Sequence, residues 1–161
     1  VMLFVGSLNY PPNEEAVRFI TRRLGPELEQ QLECSWRILI VGKKASSTVR
    51  ELIKKCYRVE YIDDADDLEI YYEMAHIVLV PVISGGGTKI KTLEGFAYRR
   101  PVVSTSHGIR GIGAIAGEHF MRAETHLEFA FAIKSLQRDR ALANRIAEGG
   151  WKLTREKFER E

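Results

Sequence analysis

The residues with the most chemical content are Ser84-Gly85-Gly86-Gly87-Thr88, followed at once by Lys89, Lys91 and Glu94. They come after the apolar run Ile77 to Val82 and open a helical pattern over Lys89 to Arg99, the arrangement of strand, glycine-rich loop and helix start. Glycines permit close approach of a bound group, and the unpaired N–H groups of a helix start attract an anion. Lys89 and Lys91 stand in the first turn, where the helix dipole disfavours a cation by about 0.3–1 kcal/mol. A bound phosphate would reverse that sign. Glu94, three residues after Lys91, lies on nearly the same helical face. It has two candidate roles, an ion pair with Lys91 and a hydrogen bond to a ribose hydroxyl lying over the loop. Ile90, Leu93 and Phe96 or Ala97 recur at core spacing and predict the face that anchors this helix. The chemistry implied is nucleotide or phosphate binding, against the plainer alternative of a glycine-rich turn without a ligand.

Other nucleotide and metal signatures fit less well. The loop after the first apolar run is Gly6-Ser7-Leu8-Asn9-Tyr10, which lacks G-x-G-x-x-G, and the glycine-rich loop lacks the G-x-x-x-x-G-K-[ST] order of a P-loop. Asp63-Asp64 and Asp66-Asp67 match loop and helix-capping positions better than a metal-binding pair. The four histidines do not cluster in sequence. His107 is the one worth keeping as a binding candidate, because it follows the fifth apolar run. Tyr10 and Tyr98 have two possible fates, stacking on a base or ordinary aromatic packing.

The elements that must position these residues alternate. Met2–Val5, Arg37–Val41, Val59–Ile62, Ile77–Val82 and Pro101–Thr105 are short apolar runs, and helical patterns separate them. Runs apolar on both faces suit strands covered by helices on each side, so the predicted fold class is α/β, a doubly wound Rossmann-like parallel sheet of about six strands. Asn13 is expected to cap a helix that ends at Leu24, with Gly25 and Pro26 stopping it. Thr48 with Glu51 and Thr125 with Glu128 have capping-box spacing, and Asp64 or Asp66 suits the cap of the helix carrying Leu68 and Tyr72. The helix from about Asp139 to Phe158 is strongly charged. Its stripe of Ile146, Leu153 and Phe158 is expected to need a surface, in part that of a missing neighbour.

With 161 residues, 45% of them hydrophobic, one core and one domain over residues 1–161 are expected. A formal charge of +2 gives no basic field for nucleic acid. Cys34 and Cys56 are expected to be buried thiols in a reducing compartment. No apolar run reaches the roughly 18 residues of a membrane helix, so a soluble, cytoplasmic location is expected. Val1–Val5 starts without a lead-in and Glu156 to Glu161 end without a stop signal, the pattern of an excised piece.

The stretch Pro81 to Thr105, Pro-Val-Ile-Ser-Gly-Gly-Gly-Thr-Lys-Ile-Lys-Thr-Leu-Glu-Gly-Phe-Ala-Tyr-Arg-Arg-Pro-Val-Val-Ser-Thr, resembles the signature of group 1 glycosyltransferases, also called family 4. The likeness extends to Phe4–Leu8 with Pro12-Asn13, to Val41-Gly42, to Gly108–Ile112 and to Glu118-His119, nearly the whole chain. Such enzymes have two Rossmann-like domains facing across a cleft, the GT-B architecture, and the resemblance makes this chain the C-terminal, donor-binding half. It implies transfer of a hexose-type sugar, with retention, from a nucleoside diphosphate sugar to a glycan, lipid or other acceptor, with no metal and no cofactor expected. The missing N-terminal domain would be the partner. No transmembrane segment is implied, and peripheral membrane association of the parent stays open. By resemblance Glu94 would hold the ribose hydroxyls, and Ser84, Gly85, Gly86, Gly87 and Thr88 would meet the sugar and diphosphate. Gly6 and Ser7 would approach the diphosphate, while Ile62 and Asp63 would flank the base. Lys89 and Lys91 would stabilise the leaving diphosphate, with Lys43 a further cation. Two departures stand out. Gly86 occupies the position of the motif's first glutamate, and Ser7 to Asn13 contain no Arg or Lys. They motivate an alternative, a non-catalytic nucleotide-binding or scaffold module of the same fold.

Overall fold

The computed structural model describes residues 1–63 and 65–158, except for the side chains of Thr88 and Phe158. Six parallel strands form one sheet: β1 (Met2–Val5), β2 (Ile38–Val41), β3 (Val59–Ile62), β4 (Ile77–Val80), β5 (Val102–Ser104) and β6 (Met121–Arg122). Their order is β3-β2-β1-β4-β5-β6, the doubly wound arrangement that the sequence predicts. β2 and β4 are buried along their whole length, which is why they are apolar at every position and do not alternate. The order reverses between β1 and β4, so a crevice opens there at the carboxyl ends of the strands.

Helix punctuation differs from expectation at four places. α1 (Pro11–Phe19) begins with two prolines, whose fixed φ and missing N–H suit a first turn, and Tyr10 is its N-terminal residue. Asn13 lies inside that turn with its side chain buried. The chain does not stop at Gly25: a wide helical turn over Ile20–Leu24 carries it into α2 (Gly25–Gln31). There the Gly25 N–H reaches back five residues to Ile20 O, so Pro26 enters without breaking a regular ladder. α3 (Ser47–Lys54) is capped by Ser46, whose Oγ accepts from Val49 N at 3.2 Å, and not by Thr48. At α4 (Glu69–Met74) Asp67 Oδ1 accepts from Glu69 N at 2.9 Å; of the two caps expected, Asp66 is displaced by its neighbour and Asp64 lies outside the described residues.

The remaining helices are α5 (Thr88–Ala97), α6 (His126–Arg138) and α7 (Arg140–Phe158). Thr125 caps α6 as its sequence predicts, accepting from Glu128 N at 3.1 Å, while Glu128 Oε1 returns to Glu124 N. Phe129, Ile133 and Leu136 are buried beneath it. Thr125→Ala is expected to cost about 1 kcal/mol, read as a lower denaturation midpoint at unchanged slope. α7 packs on α5 and α6 of this same chain, which bury Ile146 and Leu153 of its stripe without a further neighbour. The Phe158 side chain lies outside the description. Cys34 is exposed and Cys56 half-buried, correcting the expectation of two buried thiols; both are free. Cys34 sits on the stretch between α2 and β2, whose short connection leaves its thiol at the surface. Among the described residues no helix is long and apolar enough to cross a membrane.

Candidate functional site

Two loops meet at the crevice: residues 6–10 after β1, and residues 81–87 between β4 and α5. How α5 sits decides what they can do. A Cβ at Gly95 would lie 2.8 Å from Val102 Cγ2 and 3.4 Å from Val78 Cγ1, so the bare backbone of this position rests on the sheet. Residues three and four earlier share that face, and they are Thr92 and Lys91. Both are buried, together with Phe96. The core face predicted from Ile90, Leu93 and Phe96 or Ala97 is therefore turned: Ile90 is 67% exposed, Leu93 only partly covered and Ala97 exposed. Close packing at Gly95 outweighs the pattern of larger apolar residues.

Burial of Lys91 is the main consequence. Its Nζ donates to Asn13 Oδ1 at 2.7 Å and stands 4.7 Å from the centroid of the Phe4 ring. Asn13 Nδ2 in turn donates to Ser7 O at 2.9 Å. A cation under the crevice is thus tied through α1 to the loop after β1, and the ion pair with Glu94 considered from spacing gives way to this amide contact. Burial pulls the Lys91 amine down to about 8, against a weaker upward effect of the nearby Glu94 charge. Asn13, expected from sequence as a helix cap, joins Lys91 to the loop after β1 instead. Its partner is 78 residues away, and no local signal announces it.

The glycine loop is held from both sides. Gly85 has φ 90°, a left-handed conformation natural to glycine, and a Cβ there would meet Tyr10 Oη at 2.5 Å. Tyr10 Oη accepts from Gly86 N at 3.0 Å, and His107 Nε2 lies 2.6 Å from Gly85 O. Tyr10 and His107 thus shape the loop, a role between the alternatives considered for them. Gly86 and Gly87 face open space, with no atom within 4 Å of a built Cβ. Ser84 and Lys89 are exposed, and the Thr88 backbone starts α5.

Glu94 is half-buried on the next turn and accepts from the Tyr72 hydroxyl at Oε2, 2.8 Å. Tyr72 is 1% exposed and stacks on Tyr98 with ring centroids 4.8 Å apart and planes 7° from parallel. Tyr98 therefore packs on a protein ring. Burial, and then the Glu94 carboxylate, push the Tyr72 phenol far above its ordinary range. The sequence places Tyr72 only on the helix it shares with Leu68, with no signal for this contact. Ile62 ends β3, two strands from β1, and Asp63 follows it at the same end of the sheet. Asp63 Oδ2 pairs with Arg50 at 3.1 Å on the surface, and Arg50 lies 5.1 Å from the Tyr61 ring. The structure therefore gathers Gly6, Ser7, Gly85, Gly86 and Lys91 through Asn13 and Tyr10, and leaves Ile62 and Asp63 on the flank.

These loops form an open shelf. A cavity of about 630 Å³ lies elsewhere, at the amino ends of the strands, where Met2, His76, Arg100 and Arg140 line it. Another, of about 330 Å³, lies between α1 and residues Pro81 and Ile83. None of the site residues expected from sequence lines either one.

Fold and site define a doubly wound α/β protein with a glycine-rich loop and helix start at the point where strand order reverses. The chain belongs to the group 1 glycosyltransferases, whose family model matches residues 1–139. It is 25% identical over 167 residues to an uncharacterized 44.6 kDa protein in the cps region of Klebsiella pneumoniae, a match covering 98% of this chain and 42% of that protein. The chain thus spans less than half the length of that curated relative. Among solved structures it is similar to the C-terminal domain of a glycosyl transferase group 1 family protein (LpcC) from Francisella tularensis, with TM-score 0.71 and 17% identity, covering 99% of this chain and 87% of that one. It is also similar to Anabaena Alr3699/HepE in complex with UDP-glucose, with TM-score 0.77 and 14% identity, covering 98% of this chain and 44% of that one.

Proposed function

We propose that this chain is the donor-binding, C-terminal half of a retaining glycosyltransferase, and that it binds a nucleoside diphosphate sugar at the crevice between β1 and β4. The observation that carries the reading is Lys91, a buried cation whose hydrogen bond goes to the neutral amide of Asn13. Burying a charge is costly unless an opposite charge meets it, and a diphosphate on the glycine loop would supply one. Support also comes from Anabaena HepE, similar in fold, whose structure holds UDP-glucose.

In this reading the loop Ser84–Thr88 and the first N–H groups of α5 receive the diphosphate, with Gly6 and Ser7 on the other side of the crevice. As the bond from the anomeric carbon to the diphosphate oxygen breaks, negative charge grows on that oxygen. Lys91, exposed Lys89 and the loop N–H groups are already in place to stabilise it, so no metal or cofactor is required of this half. Glu94 accepts from the ribose hydroxyls, and Ile62 and Asp63 flank the base. Residues 1–161 form one domain, and the acceptor, a glycan, lipid or other hydroxyl compound, is held by an N-terminal half that this chain does not include. Transfer of the hexose-type sugar then requires both halves. An exposed free Cys34 suits a reducing, cytoplasmic compartment.

Calorimetry on the folded chain with UDP, GDP and ADP tests the reading. Binding of at least one is expected, and Glu94→Ala is expected to weaken it about tenfold or more, the size of a hydrogen bond to a charged group. Absence of heat with all three overturns it.

A further inference from the structure

Glu94 is half-buried on the flank of α5, where a glutamate side chain without a partner samples several rotamers and must be frozen by its ligand. Here one rotamer is already selected. Oε2 accepts from the Tyr72 hydroxyl at 2.8 Å, and Tyr72 cannot turn away, being 1% exposed and stacked on Tyr98 at 4.8 Å. Tyr98 closes the carboxyl end of α5, its N–H bonded back to Glu94 O at 3.0 Å. Both the carboxylate and the ring that holds it are therefore fixed to one helix end. Tyr72 itself belongs to α4, whose backbone begins directly after the loop that follows β3.

We propose that Tyr72 is a positioning residue for donor recognition: its hydroxyl holds Glu94 through Oε2 and leaves Oε1 to accept from a ribose hydroxyl of the nucleoside diphosphate. The proposal rests on the donor-site reading above and adds a residue outside the family motif. Fixing a binding group before its ligand arrives raises affinity by removing the cost of ordering it. The gain is confined to ligands that have the hydroxyl.

That selectivity separates positioning from the ordinary need of a buried phenol for a partner. The experiment measures, by calorimetry on the 161-residue chain, whichever of UDP, GDP and ADP binds most tightly, and the 2′,3′-dideoxy form of the same nucleotide. Tyr72→Phe keeps the ring and its stacking and removes only the hydroxyl. It is expected to weaken the ribonucleotide about fivefold, within the range of a net hydrogen bond, and to change the dideoxy form by less than about twofold. In a Glu94→Ala background the same change is expected to have no further effect, because the two residues act as one unit. Equal weakening of both nucleotides by Tyr72→Phe, or an unchanged ribonucleotide affinity, overturns the proposal. Should Tyr72→Phe fail to fold, Tyr98→Leu removes the stacking that fixes the ring. A ribose-selective loss then supports the proposal and an unchanged affinity ratio overturns it. Failure of the donor reading looks different: there Glu94→Ala leaves the ribonucleotide affinity where it was.

Discussion

Lys91→Met is expected to weaken nucleoside diphosphate binding by about ten- to a hundredfold at pH 7, the span expected for losing a hydrogen-bonded charge from an anion site. Methionine keeps most of the volume of the lysine stem, so the packing against Phe4 and under Asn13 survives. Stability moves the other way. The Lys91 amine is pulled from an ordinary lysine value to about 8 by burial, so the unfolded chain holds its proton more tightly than the folded chain. That is a penalty on the folded state, fully present below pH 8 and worth roughly 3 kcal/mol by linkage. It fades as pH rises from about 8 toward 10.5, because over that window only the unfolded chain still carries the proton. The variant lacks the penalty, offset in part by the partner that Asn13 loses. It is expected to be at least as stable as the parent at pH 7 and to lose that advantage at high pH. A bound diphosphate favours the charged amine. Affinity in the parent is accordingly level below about pH 8 and falls above it, by up to tenfold per unit. The groups facing the amine are Asn13 from α1, the Phe4 ring from β1 and the Glu94 charge on α5. Titration calorimetry across pH 6.5 to 9.5 reads the affinity, and denaturant midpoints over the same range read the stability. Equal affinity of parent and variant would place the diphosphate away from Lys91.

Gly149→Ala is expected to lower stability by about 2 kcal/mol and the thermal midpoint by roughly 4–8 °C. The direction is what makes the test informative. In the exposed middle of a helix, alanine is better than glycine by about 1 kcal/mol, so a substitution in α7 that met only solvent would raise the midpoint. Here a Cβ would lie 2.0 Å from Glu118 O, a backbone atom that cannot swing aside, and at the next residue Gly150 it would meet Phe96 Cδ1 at 2.6 Å. Two adjacent glycines thus let α7 lie against the Glu118-His119 stretch and against α5. Overpacking of that kind outweighs the helix propensity gained. A higher midpoint by calorimetric scan would show that α7 is not seated there. Because α7 backs the same α5 that carries Lys91 and Glu94, the variant also reports whether the site depends on this support.

Much of this protein was decided locally. The five apolar runs became β1 to β5: the four inner strands are covered on both faces and so carry almost only apolar residues, while the edge strand β3 buries Val59 and leaves Glu60 exposed. The glycine-rich loop and the helix after it are likewise consecutive residues, and Thr125 with Glu128 close a cap three residues long, so each of these could be read from sequence. Caps at Ser46 and Asp67 escaped because neighbouring Ser, Thr and Asp residues compete for the same N–H groups, and the path of the chain selects among them.

What only the tertiary structure decided is which way α5 turns. Its larger apolar residues predict one buried face, and close contact of Gly95 with Val78 and Val102 selects another, taking Lys91 inward with it. From that rotation follow the contact of Lys91 with Asn13, 78 residues apart, and that of Tyr72 with Glu94, 22 apart. Sequence determined that a glycine-rich helix start stands at the end of β4. Packing of a helix onto a sheet, set by the smallest side chain at the interface, decided that its cation is buried and its acid is held.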